Sequence, residues 1–189
     1  MAAAEDYFKN IEPVHSGNLE VRLAENNAEI DAAQALRYKV FYDEMSALPN
    51  KDMLAAKRDF DRFDKYWDHL LVIDNSKNTI IDQVVGTYRL NRKSEANKNQ
   101  GFYSSEEYNI DTLLNYPGET LELGRSCVDK KYRNGQTMQL LWRGIANYVF
   151  YYDIKVMFGC ASFPEISKEL IKEPLSYFCL LYTSPSPRD

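Results

Sequence analysis

The 189-residue chain holds no apolar run near the ~18 residues that a membrane helix needs; stretches such as Leu70–Ile73 are strand-sized. Met1–Asn10 lacks the basic-then-apolar order of a secretory signal. Three cysteines make no disulfide framework, a scarcity that suits a reducing compartment. His15 and His69 are too isolated for a zinc site, and no Cys/His pair has ligand spacing. No Ser-centred elbow, Walker loop or GxGxxG occurs, so hydrolase, nucleotide-driven and dinucleotide chemistries lack a motif. Internal repeats and domain-splitting linkers are absent too. A net charge of −5 argues against broad nucleic-acid binding while leaving local basic patches open. The chain is 44% hydrophobic and long enough for a real core. These features together predict a single soluble, cytoplasmic domain.

The segment Cys179–Asp189, CLLYTSPSPRD, follows neither helical nor strand period. With permitted codons it back-translates to a transposase-type sequencing adapter, and it is set aside from fold reasoning. The expected division is a loose arm over 1–17, a folded domain over 18–178 that continued further in the natural gene, and an adapter-like tail over 179–189.

Within the domain, Leu19–Ala24 alternates as a half-buried strand. Asn26 and Glu29 have capping-box spacing and predict a helix from Asn27 to Ser46, with Ile30, Ala33, Leu36 and Val40 on its apolar face. Pro49 and Asn50 close it, and the charge-dense, aromatic Lys51–Trp67 reads as a folded loop. Asp68–Asp74 and Thr79–Leu90 predict a hairpin, with Gly86 marking a bulge or a close backbone approach. Asn91–Gln100 reads as a mobile polar stretch, Ser104–Leu114 as a short helical piece and Thr120–Asp129 as a strong strand. A helix over Gly135–Tyr152, capped by Asn134, should bury Met138, Leu141, Trp142, Ile145 and Val149. Lys155–Ala161 is apolar enough for a strand buried on both faces. A meander of strands feeding a helix crossover predicts a mixed α/β sheet with one parallel pair.

Several ionisable residues sit in unusual places. Glu122 and Arg125 lie three apart in an apolar strand, on opposite faces if it is regular; a bulge at Gly124 would bring them together. Arg37 and Phe41 share a helix face, which alone reads as packing beside a solvated guanidinium. Asp61 and Asp64 form DxxD in the aromatic loop, and Arg89 ends a strand; alone these read as surface charges. Cys127 and Cys160 fall on predicted buried strands, where a thiol serves as a small apolar residue.

In combination these positions form a pattern. LRYKVF (36–41), FDRFD (60–64), DHLLVID (68–74), VVGTYRL (84–90), GFYSSEEYNI (101–110), LELGRSCVDKKYRNG (121–135) and MFGCASF (157–163) occur in this order. The set resembles the ornithine–acyl carrier protein N-acyltransferases. These belong to the Gcn5-related N-acetyltransferase superfamily and are related to the acyl-homoserine-lactone synthases. The resemblance implies a mixed, mostly antiparallel sheet flanked by helices, with the C-terminal strands missing here. It implies transfer of a long 3-hydroxyacyl group from acyl carrier protein to the α-amine of L-ornithine. By the same resemblance Glu122 and Arg125 are catalytic, and Arg37, Phe41, Asp61, Asp64, Arg89 and Phe102 bind substrate. Lys130, Lys131, Arg133, Asn134 and Gly135 meet the carrier's phosphopantetheine arm.

No bound cofactor and no metal are implied, only the carrier thioester as co-substrate; peripheral contact with the inner membrane and the oligomeric state stay open. The pyrophosphate loop of acetyltransferases is degraded, with Tyr132 and Thr137 at key positions, which suits a donor presenting one phosphate. The tryptophan that lactone synthases carry has no match in Met45–Asn50. The alternatives are another N-acyl amino-acid or lactone synthase, and a non-catalytic module that binds acyl carrier protein.

Overall fold

A computed structural model describes residues 11–162 and 167–183. Six strands form one sheet in sequential order: β1 (Val14–Ser16), β2 (Leu19–Leu23), β3 (Asp68–Asp74), β4 (Val84–Arg92), β5 (Glu119–Val128) and β6 (Ile154–Phe158). All neighbours pair antiparallel except β5 and β6, which are parallel. Among the described residues up to Gly159 the α-helices are α1 (Asn27–Tyr38), α2 (Lys51–Ala56), α3 (Ile80–Gln83), α4 (Lys93–Ala96), α5 (Ser104–Glu107), α6 (Asp111–Leu114) and α7 (Gly135–Tyr151), and a 3-10 turn spans Lys130–Tyr132. A π-helix over Lys39–Glu44 continues α1. Residues through Gly159 form one compact unit; Cys160 begins a second, whose helix α8 (Lys168–Thr183) contains Pro174.

Strand alternation builds the two faces. In β3, Leu70 and Val72 join the core under α7, while Leu71 and Ile73 join the core under α1. The run LLVI is therefore buried on both sides and sits mid-sheet. Asn26 caps α1 by accepting from Glu29 N at 3.0 Å, as its spacing predicts. The return contact differs from a capping box: Glu29 accepts from Glu25 N at 2.7 Å and pairs with Arg22. Gly86 does mark a close approach, since a Cβ there would lie 3.2 Å from Val72, where the β3–β4 register shifts.

Several boundaries move. Of the predicted arm, residues 1–10 lie outside the described residues, but Val14–Ser16 pairs with β2. The helix predicted to Ser46 is α-helical only to Tyr38. Lys51–Trp67 is not all loop, because the Asn50 side chain accepts from Met53 N and caps α2. Thr79 likewise caps α3, so β4 begins at Val84 rather than Thr79. Asn91 and Arg92 are buried strand residues, and the predicted mobile stretch holds α4.

On α7 the buried stripe is Thr137, Leu140, Leu141, Gly144, Ile145 and Tyr148, leaving Met138 and Trp142 about half exposed (51% and 50%). Gly144 sets this stripe: its ideal Cβ would lie 2.8 Å from Val21, so the helix sits close on the sheet at that point. Strand β6 is shorter than predicted and is an edge strand among the described residues, with Lys155 and Met157 exposed rather than buried. Cys160 lies beyond it and is exposed, whereas Cys127 is buried.

Candidate active site

The last turn of α1 points Arg37 under the loop that precedes β3. Its guanidinium is fully buried: Nε donates to Asp59 Oδ2 at 2.7 Å, and Nη2 donates to Asp64 Oδ2 at 2.8 Å and to the Asp59 carbonyl. Arg89 on β4 lies over the Trp67 ring, 4.9 Å from its centroid. Arg89 Nη1 donates to Asp61 Oδ1 at 2.6 Å and to Asp64 Oδ1 at 3.0 Å, and Nη2 donates to Asp61 Oδ2 at 2.9 Å. Arg125 on β5 completes the set, 3.4 Å from Asp59 Oδ2 and 3.7 Å from Asp61 Oδ2. Three cations thus meet three carboxylates in balance. The side chains of Asp61 and Arg125 keep 21% and 33% of their surface exposed, so the cluster reaches solvent at that end.

Burial alone pushes the Asp64 carboxyl up, but Arg37 and Arg89 outweigh it and hold it well below the usual range. Asp61 is likewise held low against burial, chiefly by Arg89. His69 Nε2 lies 3.0 Å from the Asp64 carbonyl; burial and then the Arg37 charge push its pKa down to about 4, so it is neutral. Tyr42, on the π-helix, donates its hydroxyl to Asp59 Oδ1 at 2.9 Å.

A bulge in β5 aims Arg125. Thr87 faces Cys127 and Arg89 faces Gly124, so Tyr88 opposes two residues, Arg125 and Ser126. Arg125 takes the left-handed conformation there, φ 51°. The extra residue switches the alternation: Leu121 and Leu123 pack on the α7 side, as does Val128 beyond the bulge. A bulge does therefore put Glu122 and Arg125 on one face, at Arg125–Ser126 rather than at Gly124.

The two side chains do not pair. Glu122 is buried and accepts from Tyr103 N at 2.8 Å, Ser104 N at 2.7 Å and Ser104 Oγ at 2.6 Å. Burial raises its pKa, with those donors opposing.

Other predicted residues are placed differently. Phe102 is buried, edge-on to Phe158 with centroids 5.0 Å apart, and Phe41 packs against the core under α1. In the loop after β5, Asn134 caps α7 by accepting from Thr137 N at 2.9 Å. Arg133 is already engaged with Glu44 at 2.5 Å and with the Val128 carbonyl at 2.9 Å. Lys130, Lys131 and Gly135 are exposed. Asp61 and Asp64 are both paired with arginines, and the Asp61 side chain is the more exposed of the two. Sequence reading missed Asp59 and Tyr42: Asp59 stands just before the DxxD pair, and Tyr42 reaches it only through π winding, which a 3.6-residue period does not show.

A family model described as an acetyltransferase (GNAT) domain matches residues 36–143, a span holding the whole charged cluster. Three curated relatives are named L-ornithine N(alpha)-acyltransferase. That of Agrobacterium fabrum is 48% identical over 164 residues, covering 85% of this chain and 56% of the relative. That of Rhizobium meliloti is 49% identical, covering 80% and 52%, and that of Brucella abortus 50% identical, covering 78% and 53%. The chain thus spans about half the length of the curated relatives it matches. Two solved structures share the fold at a TM-score of 0.52. The AHL synthase LasI is 15% identical, with 75% of this chain and 71% of that chain covered. FeeM, an N-acyl amino acid synthase from uncultured soil microbes, is 11% identical, with 77% and 71% covered.

Proposed function

The chain belongs to the GNAT acetyltransferase family, and we propose that it moves a long 3-hydroxyacyl group from acyl carrier protein to the α-amine of L-ornithine. The observation that carries this reading is the opening of a buried, charge-balanced cluster at Asp61 and Arg125, beside a break in the β4–β5 ladder. A carboxylate and a guanidinium at one opening suit an amino acid, which carries both an ammonium and a carboxylate. Arg37 and Arg89 hold Asp59, Asp61 and Asp64 in place, so the acceptor meets a rigid surface.

The α-amine attacks a thioester only as the free base. Glu122, its carboxyl raised by burial, takes the proton through water, a role typically worth about 10²–10⁴ in rate. Backbone N–H groups at the β5 bulge receive the thioester oxyanion. Lys130 and Lys131 beside the α7 N-terminus attract the acidic carrier and its phosphate. Mass spectrometry of lipids from cells expressing the full-length gene tests this. A lyso-ornithine lipid is expected; a lactone, another acyl amino acid, or no acyl product with retained carrier binding would each replace the reading.

A further inference from the structure

A cavity of about 440 Å³ lies between α1, α3 and the loop after β5, and no member of the charged cluster lines it. That volume is within the range of small-molecule sites. Leu36 and Val84, both of the core under α1, make its floor apolar, with the half-exposed Ile81 also lining it. Three lysines, Lys39, Lys77 and Lys131, stand against two carboxylates, Asp82 and Asp129.

Both carboxylates are already engaged. Asp129 accepts from Lys39 Nζ at 2.6 Å and from Lys131 N at 2.9 Å, and Asp82 accepts from the Thr79 hydroxyl at 2.7 Å. Among the described residues neither Lys77 nor Lys131 forms an ion pair within 4.0 Å, although their charges help hold the Asp74 and Asp129 carboxyls low. The walls are pinned as well: the Tyr132 hydroxyl donates to Asp74 at 2.5 Å, and Gln83 Nε2 donates to the Lys77 carbonyl at 2.9 Å. A preformed wall spares a ligand the cost of ordering it.

We propose that this cavity binds an amphipathic anion, an aliphatic chain ending in a carboxylate or phosphate. The chain lies on Leu36 and Val84, and the head sits between Lys77 and Lys131. An aliphatic floor with one aromatic wall, Tyr132, favours a flexible chain over a stacked base, and a bare inorganic anion would leave that floor wet. The site shares Lys131 with the carrier contact proposed above, so the test variants fall at Lys77 and Ile81, which that reading does not use.

Calorimetric titration of the full chain, with ¹H–¹⁵N NMR to place the site, tests it. Octanoate and octyl phosphate should each saturate one site, with octanol and inorganic phosphate at least about tenfold weaker. Hexanoate should bind more weakly than octanoate, by about fourfold per methylene removed. Whichever of octanoate and octyl phosphate binds tighter identifies the head. Lys77→Ala should weaken octanoate about tenfold and leave octanol unchanged. Ile81→Trp, which enlarges a lining side chain, should abolish both. Octanol binding as tightly as octanoate, shifts mapping elsewhere, or parent-like binding by both variants would overturn the proposal.

Discussion

Asp64→Asn leaves three buried or half-buried guanidinium groups facing two carboxylates. The native side chain accepts from Arg37 Nη2, Arg89 Nη1, Gln34 Nε2 and the Asp61 N–H. Asparagine keeps one acceptor oxygen but turns an NH₂ toward donors that need an acceptor. Removing one partner from a buried ion pair costs about 3–5 kcal/mol, a large share of the ~5–15 kcal/mol that holds a domain together. At about 2–4 °C per kcal/mol for a domain of this size, the Tm should fall by roughly 6–20 °C.

Asp61→Asn makes the control, because that side chain is 21% exposed and water can reach it. Its cost should stay near 1–2 kcal/mol. Urea unfolding read by the fluorescence of Trp67, buried beneath Arg89, measures both midpoints at equal m. The reasoning is refuted by an Asp64→Asn midpoint within about 0.5 kcal/mol of the parent, or by an Asp61→Asn loss exceeding that of Asp64→Asn.

The site carries three more expected outcomes. Glu122→Gln should abolish most turnover in the full-length enzyme. It should also lower the Tm by a cost of about 1–3 kcal/mol, since an amide NH₂ then meets the Tyr103 and Ser104 donors; kcat and thermal melts on one preparation separate the two losses. Arg125→Gly should be about 1 kcal/mol more stable than Arg125→Ala, because glycine takes φ 51° without strain, and paired urea curves measure the difference. Stability should fall as pH drops from about 6.5 toward 4, because the unfolded chain protonates His69 where the folded chain, with a pKa of about 4, does not. That segment, worth on the order of 3 kcal/mol, should vanish in His69→Gln. A further loss below about pH 4, as Asp61 and Asp64 protonate, should remain.

What the sequence revealed divides by range. The cap at Asn26, the strand Asp68–Asp74 and the helix from Gly135 are local patterns, and each lies where local spacing placed it. Arg37, Asp61, Asp64, Arg89 and Arg125 were legible as candidates only in combination, since each alone looks like a surface charge. Their partners lie far along the chain: Asp59 is 22 residues from Arg37, and Asp61 is 28 from Arg89. Asp59 and Tyr42 stayed hidden because no spacing rule links a loop carboxylate to a π-wound hydroxyl. Phe41 and Phe102 matched a motif, and the structure shows their packing neighbours. Met138 and Trp142 are exposed for a different reason: Gly144, which has no apolar side chain to mark it, lets the helix close on Val21 and turns them outward.

The π-helix also bears on how this chain tolerates changes in length. A π turn is an α turn holding one residue too many, and Lys39–Glu44 is wound that way between Arg37 and α2. Deleting any one of those six residues would let α1 run on as an ordinary helix and rotate the chain beyond it by about 100°. Tyr42 would then swing off Asp59, and the chain would reach the Asn50 cap one residue short. A single-codon deletion here should therefore disturb the charged cluster more than a conservative substitution of Tyr42, even though the segment lies at the surface end of its helix. Relatives that keep the cluster should accordingly keep the length of the stretch between Tyr38 and Met45.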